Sequence, residues 1–174
     1  SGSKVIVFIL SLLEKYDNLI VVQTFSKSRS MAGMRIGYAM ASPELIKYLN
    51  DVKYSFNSYT MDQTALDLGV ASIEDQAYFE ETLHKIIQTR ERVKLRLTEL
   101  GFTFRDSRSN FVFASHKSCP AEELFEKLKE KDIYVRYFNK PRIHNYLRIT
   151  IGTDAEMDEF LSEVENYLKE SGRL

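Results

Sequence analysis

The stretch "TFSKSRSMAGMRIGY" at residues 24–38 sets Lys27, Arg29 and Arg35 among small residues and hydroxyls, directly after the apolar run at 19–22. Short runs rich in Val, Ile, Phe and Tyr lie at 4–10, 18–23 and 34–41, with helical signals between or after them. This alternation is typical of an α/β sheet. The cations therefore fall where a strand ends, which is where such sheets bind ligands.

Three helix signals follow in the first half of the chain. Ser42-Pro43-Glu44 predicts a helix with Ser as N-cap and Pro at its first position, and Thr60-Met61-Asp62-Gln63 fits a capping box for the next helix. From about Asp75 to Leu100, apolar residues recur every three or four positions until Gly101 ends the pattern. A helix of that length usually bridges two subdomains.

The second half predicts a small α+β unit. Strand-like segments are "FTFRD", "NFVFASH", "IYVRYF" and "YLRITIG", and a helix is expected over 121–131. The last helix has its own capping box at 153–156. Its predicted apolar stripe is Met157, Phe160, Leu161, Val164 and Leu168. We expect one domain over 1–88 and a second over 89–174, with the boundary inside the long helix.

Bulk composition excludes several classes of protein. The chain has 174 residues, of which 44% are hydrophobic, and a net charge of -1. Because this charge is close to zero, no global electrostatic field attracts nucleic acid or an anionic membrane. The apolar run 5–13 is too short to span a bilayer. A single cysteine, Cys119, fits a reducing cytoplasm, and three scattered histidines lack the spacing of zinc ligands. We expect a cytoplasmic protein with no metal site.

Chemistry at the cationic stretch can be argued from residue types. Burial and the neighbouring cation Arg35 would favour the neutral amine of Lys27, which attacks a carbonyl to form a Schiff base. Hydroxyls at Thr24, Ser26 and Ser28, together with an arginine fork, suit a phosphate. Pyridoxal phosphate offers both an aldehyde and a phosphate. Composition alone favours the alternative, a solvated loop whose cations serve solubility.

The order of residues is more specific than their types. "TFSKSRSMAGMRIGYAM" resembles the active-site lysine segment of fold-type I aminotransferases, in particular the histidinol-phosphate aminotransferase family, whose pattern is Ser-Lys followed by Ala-Gly-Leu-Arg-x-Gly-Tyr. The resemblance implies that Lys27 is the Schiff-base lysine. It also implies that Ser26 and Arg35 hold the cofactor phosphate, near Thr24. Arg29 receives no role from it.

The resemblance continues downstream in matching order. "SRSNFVF" is similar to the family's Asn-Phe strand, and "YLRITIGT" is similar to its Leu-Arg-Ile-Thr segment. It implies that Arg148 clamps the substrate α-carboxylate and that Arg136 meets the substrate's phosphate end, with Asn110 also at the substrate. Bidentate hydrogen bonding explains why arginine suits these tasks. Without the resemblance, both arginines read as ordinary strand residues on a solvated face.

The family resemblance also implies the fold and what this chain lacks. It implies a remnant of the large-domain sheet, a long bridging helix and a small α+β domain. Family members carry an upstream Asp that pairs with the pyridinium nitrogen, yet no Asp precedes Asp17 here. We therefore expect a truncated product, a fragment or an engineered half, which is a poor transaminase or none and which self-associates as a homodimer or larger assembly.

Three functional hypotheses follow. The first is a transaminase of histidinol-phosphate type, dependent on pyridoxal phosphate and acting on amino-acid and 2-oxo-acid substrates, with Lys27 as proton carrier. The second is a non-catalytic oligomeric remnant that serves as an interaction module. The third keeps the cofactor but changes the reaction to that of a phosphothreonine-type decarboxylase.

Overall fold

The computed structural model describes residues 10–174, which form two compact units that divide between Phe79 and Glu80. The predicted domain boundary near residue 88 lies in the same long helix and stays a prediction. The predicted strand at 4–10 falls almost entirely outside the described residues. Residues 10–13 are helical.

The first unit is built around a two-stranded antiparallel sheet. Its elements are β1 (Ile20–Thr24), α1 (Phe25–Ser28), a 3-10 turn (Ala32–Met34), β2 (Gly37–Ala41), α2 (Pro43–Phe56) and α3 (Gln63–Glu74). The register places Thr24 opposite Gly37. Both strands agree with the sequence prediction, and the connection between them lies within the cationic stretch at residues 24–38.

Two helix starts in this unit differ from the predicted caps. Helix α2 begins at Pro43 as expected, but the Ser42 hydroxyl donates to the Asp17 carbonyl at 3.1 Å instead of capping the helix. The capping box placed at Thr60 is wrong. Asp62 is the N-cap of α3, because its carboxylate accepts from the Ala65 amide at 2.8 Å.

The second unit is a four-stranded antiparallel sheet with helices. Its strands are β3 (Phe102–Phe104), β4 (Phe111–His116), β5 (Arg136–Tyr137) and β6 (Leu147–Thr150), in the order β3-β4-β6-β5, and its helices are α4 (Gln76–Glu99), α5 (Ala121–Lys129) and α6 (Asp154–Glu170). Helix α4 begins in the first unit and continues into the second. The predicted long helix, small α+β unit and final helix are confirmed.

One apolar cluster holds the second unit together. Alternate residues of β4 and β6 point into it, including Val112 and Ile149, and Val93 and Leu97 enter it from α4. All of the predicted apolar stripe of α6 is buried there: Met157, Phe160, Leu161, Val164 and Leu168. Because each fully buried aliphatic side chain contributes roughly 1.5–3 kcal/mol, this cluster provides the dominant stabilisation of the unit.

Side-chain caps and an ion pair fix the last helix. Thr153 and Glu156 form the predicted capping box at its start. At the other end, Arg173 grips Glu123 of α5 with two hydrogen bonds of 2.8 and 3.0 Å, and the Tyr167 hydroxyl donates to the same carboxylate. The Arg173 and Tyr167 hydrogen bonds hold the pKa of Glu123 below its usual range.

A glycine and a buried histidine meet at the turn after α4. Gly101 has φ of +83°, and a Cβ built on it would lie 2.9 Å from His116 Nε2. Since the Ser118 amide donates to His116 Nδ1 at 3.3 Å, the proton of the neutral ring sits on Nε2, 3.1 Å from the Leu100 carbonyl. Burial lowers the pKa of His116.

Replacement of Gly101 by Ala is expected to destabilise the second unit by more than backbone strain alone. Gly172 provides the control, because it also has positive φ (+66°), but a methyl group at that position would have no atom within 4 Å. We expect Gly172→Ala to cost about 1 kcal/mol of unfolding free energy. Gly101→Ala should cost about 1–3 kcal/mol more, because the methyl group collides with the His116 ring. Urea titration measures both, and equal losses would contradict the contact.

Candidate active site

The segment 25–36, here called the lysine loop, connects the two strands of the first unit. Its base is closed by a hydrogen bond of 3.0 Å from the Phe25 amide to the Ile36 carbonyl. Both side chains are buried, at 7% and 8% exposure. The loop therefore begins and ends at fixed points, and its intervening residues extend from a closed base.

Helix α3 packs on this base through a glycine. A Cβ at Gly69 would lie 3.1 Å from Ile36 Cδ1 and 4.0 Å from the Phe25 ring, so an added methyl group would require Ile36 to shift. The Tyr38 ring meets Phe25 edge-on, with ring centroids 6.0 Å apart. These contacts place the lysine loop beside α3.

Lys27 lies in the middle of α1 with its side chain exposed. The expectation that Lys27 is buried is wrong, because the inward-facing positions of this short helix are Phe25 and Arg29. Residues 25 and 29 are four apart and share one helix face, whereas residue 27 falls on the opposite face. The amine is thus presented outward from an anchored turn.

The other predicted cofactor residues lie on the same loop. Thr24 is exposed and Ser26 is half-buried at its start, while Arg35 is exposed at its end. Arg35 adopts φ of +58°, and its guanidinium donates to the Ala32 carbonyl at 3.0 Å. Because the Phe25–Ile36 hydrogen bond closes the loop, Thr24 and Arg35, which are the chain neighbours of those two residues, both lie at its base.

The two predicted substrate arginines are cross-strand neighbours in the second unit. Arg136 of β5 pairs directly with Arg148 of β6, and both are exposed. The Phe138 ring lies near both guanidinium carbons, at 5.4 and 5.8 Å, and Phe111 lies 5.7 Å from that of Arg148. Within residues 10–174 no carboxylate forms an ion pair with either arginine. The two guanidinium groups therefore form a local concentration of positive charge beside aromatic rings.

Asn110 stands at the start of β4 on the same sheet. Its carbonyl accepts from the Ile151 amide at 2.9 Å, and its side-chain oxygen accepts from the Ser109 hydroxyl at 3.3 Å. Buried Arg90 donates to the Ser109 carbonyl at 3.2 Å. The backbone at Asn110 is thus tied to β6 on one side and to α4 on the other.

An open cavity of about 620 Å³ adjoins this sheet in the second unit. The Phe113 and Tyr146 rings stack at 4.7 Å on its wall. Two cations, Arg105 and Arg142, also line it. Aromatic rings with flanking arginines suit planar or anionic groups.

Metal and membrane-spanning features are both absent from the part of the chain that the structure describes. Between residues 10 and 174, no group of three or more His, Cys, Asp or Glu side chains is arranged to hold a metal ion. No helix in that range combines the length and apolarity needed to cross a bilayer.

Comparison with known proteins identifies the family. The family model described as "Aminotransferase class I and II" matches residues 1–164. The chain belongs to the class I and II aminotransferases. The recognition based on "TFSKSRSMAGMRIGYAM" is confirmed at this level. In this aminotransferase chain, that motif contains the lysine loop.

Individual relatives show which aminotransferases the chain resembles. The chain is 53% identical over 158 residues to a histidinol-phosphate aminotransferase of Brachyspira hyodysenteriae, covering 91% of this chain and 45% of that protein. The chain thus spans about half the length of the curated relatives it matches.

Solved structures agree on the fold. The histidinol-phosphate aminotransferase from Clostridium acetobutylicum superposes with a TM-score of 0.83 at 22% identity, covering 92% of this chain and 49% of that one. The enzyme from Sinorhizobium meliloti, solved in complex with pyridoxal-5'-phosphate, gives 0.77 at 25% identity, covering 88% and 42%. The predicted fold class, a part of the fold-type I aminotransferase architecture, is confirmed.

Sequence reasoning missed one residue of this aminotransferase chain. Arg29, to which no role was given, donates to the Ser72 carbonyl at 2.8 Å, and its guanidinium carbon lies 3.9 Å from the Phe79 ring centroid. The available signal was its spacing of four from Phe25, which places both on the inward face of α1.

Removal of one arginine from the cross-strand pair is expected to stabilise the second unit. Like charges directly opposite each other in a sheet repel, so Arg136→Thr should raise the unfolding free energy by about 0.2–1 kcal/mol at low ionic strength. The gain should vanish in high salt, because both side chains are exposed. Arg105→Thr, which removes an exposed guanidinium with no cross-strand cation, is the control. Equal effects of the two variants in urea titrations would rule out pair repulsion.

Proposed function

We propose that this chain provides the cofactor-anchoring lysine and the substrate-binding arginines of a pyridoxal-phosphate-dependent aminotransferase of the histidinol-phosphate type. The observation that carries the proposal is the outward presentation of Lys27 from a loop whose base is buried and hydrogen-bonded. Family membership and 53% identity to a histidinol-phosphate aminotransferase support it. The substrates proposed are amino acids and 2-oxo acids.

The residues of the lysine loop fit pyridoxal phosphate. Lys27 offers an exposed primary amine for the aldehyde carbon. The hydroxyls of Thr24 and Ser26 and the guanidinium of Arg35 are donors of the kind that hold a phosphate. When bound, the cofactor supplies a ring that accepts electrons from the substrate α-carbon. Once displaced by the substrate amine, Lys27 Nζ would accept the proton from that carbon and deliver it to the cofactor carbon that had carried the aldehyde.

The arginine pair fits a substrate with two anionic ends. Arg148 is proposed to grip the α-carboxylate with two parallel N–H bonds, and Arg136 to meet a phosphate group. Asn110, held between β6 and α4, is proposed to contact the same substrate. An anion between the two guanidiniums would remove their mutual repulsion, so ligand binding and relief of repulsion favour the same state.

Turnover by this chain alone is proposed to be weak. The resemblance implies an aspartate that keeps the cofactor ring nitrogen protonated, and residues 1–16 contain none. Without that charge, negative charge at the α-carbon loses stabilisation. Cofactor attachment, in contrast, needs only the loop residues.

A cytoplasmic location is proposed on Cys119, whose thiol is buried and unpaired.

We also propose that the chain self-associates through its first unit. In the described part of that unit only Phe25, Ile36, Ala65 and Gly69 are buried. Many large apolar side chains of α2 and α3 are exposed instead, and these include Val52, Phe56, Leu66, Leu68, Val70 and Ile73. Surfaces of this kind mark protein–protein contacts. A homodimer or larger assembly of this chain would cover them.

Treatment with pyridoxal phosphate followed by borohydride should label Lys27 in preference to other lysines of the first unit. Lys47 and Lys53 are internal references, because they lie on α2 and outside the lysine loop. Peptide mass spectrometry measures the label at each position. Lys27→Ala should abolish the preferential label without unfolding the protein. Comparable labelling of Lys27, Lys47 and Lys53 would refute cofactor binding at the loop.

Sedimentation of the purified chain should show a mass above that of a monomer which rises with concentration. Val70→Asp should lower that mass, because it sets a charge in the exposed apolar surface of α3 (Val70 is 55% exposed). Leu95→Asp is the control, since Leu95 is 68% exposed but belongs to the second unit. A monomer at every concentration would contradict self-association.

A further inference from the structure

Arg29 makes three contacts with the junction between α3 and α4. Its Nη1 donates to the Ser72 carbonyl at 2.8 Å, and its Nη2 lies 3.4 Å from Gln76 Oε1. Its guanidinium carbon stands 3.9 Å from the centroid of the Phe79 ring. One side chain of the lysine loop therefore engages the last turn of one helix and the first turn of the next.

The Ser72 carbonyl is a favourable partner for a cation. It lies in the last turn of α3 (Gln63–Glu74), where carbonyls lack partners within the helix and carry the negative end of the helix dipole. The Phe79 ring adds a face on which a planar guanidinium stacks. A lysine at this position would satisfy only part of this arrangement, since it has no planar fork.

These contacts fix the far end of α1. A helix of four residues has no stability of its own, because nucleation costs more than its few hydrogen bonds return. Phe25 anchors the first residue through the closed base of the loop, and the Arg29 amide donates to the Phe25 carbonyl at 3.1 Å. Lys27 lies midway between these two anchors, on the opposite helix face. Its direction therefore depends on both of them.

We propose that Arg29 is a positioning residue, which holds Lys27 outward by fastening the lysine loop to the α3–α4 junction; this rests on the proposed cofactor role of Lys27. Loss of the Arg29 side chain would leave Phe25 as the single anchor of α1. The amine would then sample many directions, and attack on a carbonyl held at the loop would slow.

Amide hydrogen exchange tests the anchor without any cofactor. In Arg29→Gln, the Met31 amide, which donates to the Phe25 carbonyl at 3.2 Å, should exchange about tenfold faster. Phe79→Ala should act in the same direction. Because both residues belong to one contact, the double variant should add little to either single change. The control is Lys53→Gln, which removes a cation lying 5.0 Å from the Tyr54 ring on α2.

Labelling with pyridoxal phosphate and borohydride tests the consequence for Lys27. In Arg29→Gln the ratio of label on Lys27 to label on Lys47 should fall about tenfold across a pH series, while Lys53→Gln keeps it unchanged. General loosening of the unit would alter both lysines and leave the ratio unmoved. Arg29→Lys should restore part of the ratio.

The outcomes separate the two ideas. No preferential label on Lys27 in the unaltered chain would remove the proposed cofactor role, while the exchange measurement still decides whether Arg29 anchors the loop. Preferential labelling that survives Arg29→Gln, or unchanged exchange in that variant, would overturn the positioning role.

Discussion

The hydrogen bond between the Phe25 amide and the Ile36 carbonyl is the constraint on which the candidate site depends. It closes a loop of twelve positions, 25–36, at a point where both side chains are buried. Closing the loop there places Thr24 and Arg35, the chain neighbours of Phe25 and Ile36, at the same end of the loop. Ordering such a loop costs conformational entropy, which the apolar contact with α3 at Gly69 offsets.

The two units support the proposed site residues in different ways. The second unit presents Arg136 and Arg148 from strands whose other face belongs to a fully buried cluster. The first unit presents Lys27 from a short helix held by a few specific contacts. Positions on the second unit are therefore fixed by its whole core, whereas the position of Lys27 depends on individual side chains such as Arg29 and Phe25.

Most of the fold could be predicted because its signals are local and periodic. The apolar stripe of α6, the capping box at Thr153 and the long helix α4 all follow from spacing along one element. The cap at Thr60 failed because Asp62 offers a competing carboxylate at the start of the same helix. Two capping residues this close together cannot be ranked by pattern alone.

The sequence proposes a set of residues for the candidate site, but it does not predict how they are arranged. The lysine motif located Lys27, yet its exposure depends on which face of α1 the protein covers. The contact of Arg29 with Ser72 joins positions 43 apart in sequence, and no local pattern reports it. The same holds for the pairing of Arg136 with Arg148, because register is set between strands.

That register has a consequence for insertions and deletions. Since side chains alternate between the two faces of a strand, one residue inserted within β5 would turn Arg136 towards the buried cluster. The connection over residues 138–146 lies outside both strands, so a change in its length would leave the alternation of side chains within each strand unaltered. The facing of Arg136 is therefore more sensitive to a change in length inside the two-residue strand than to one in the connection beside it.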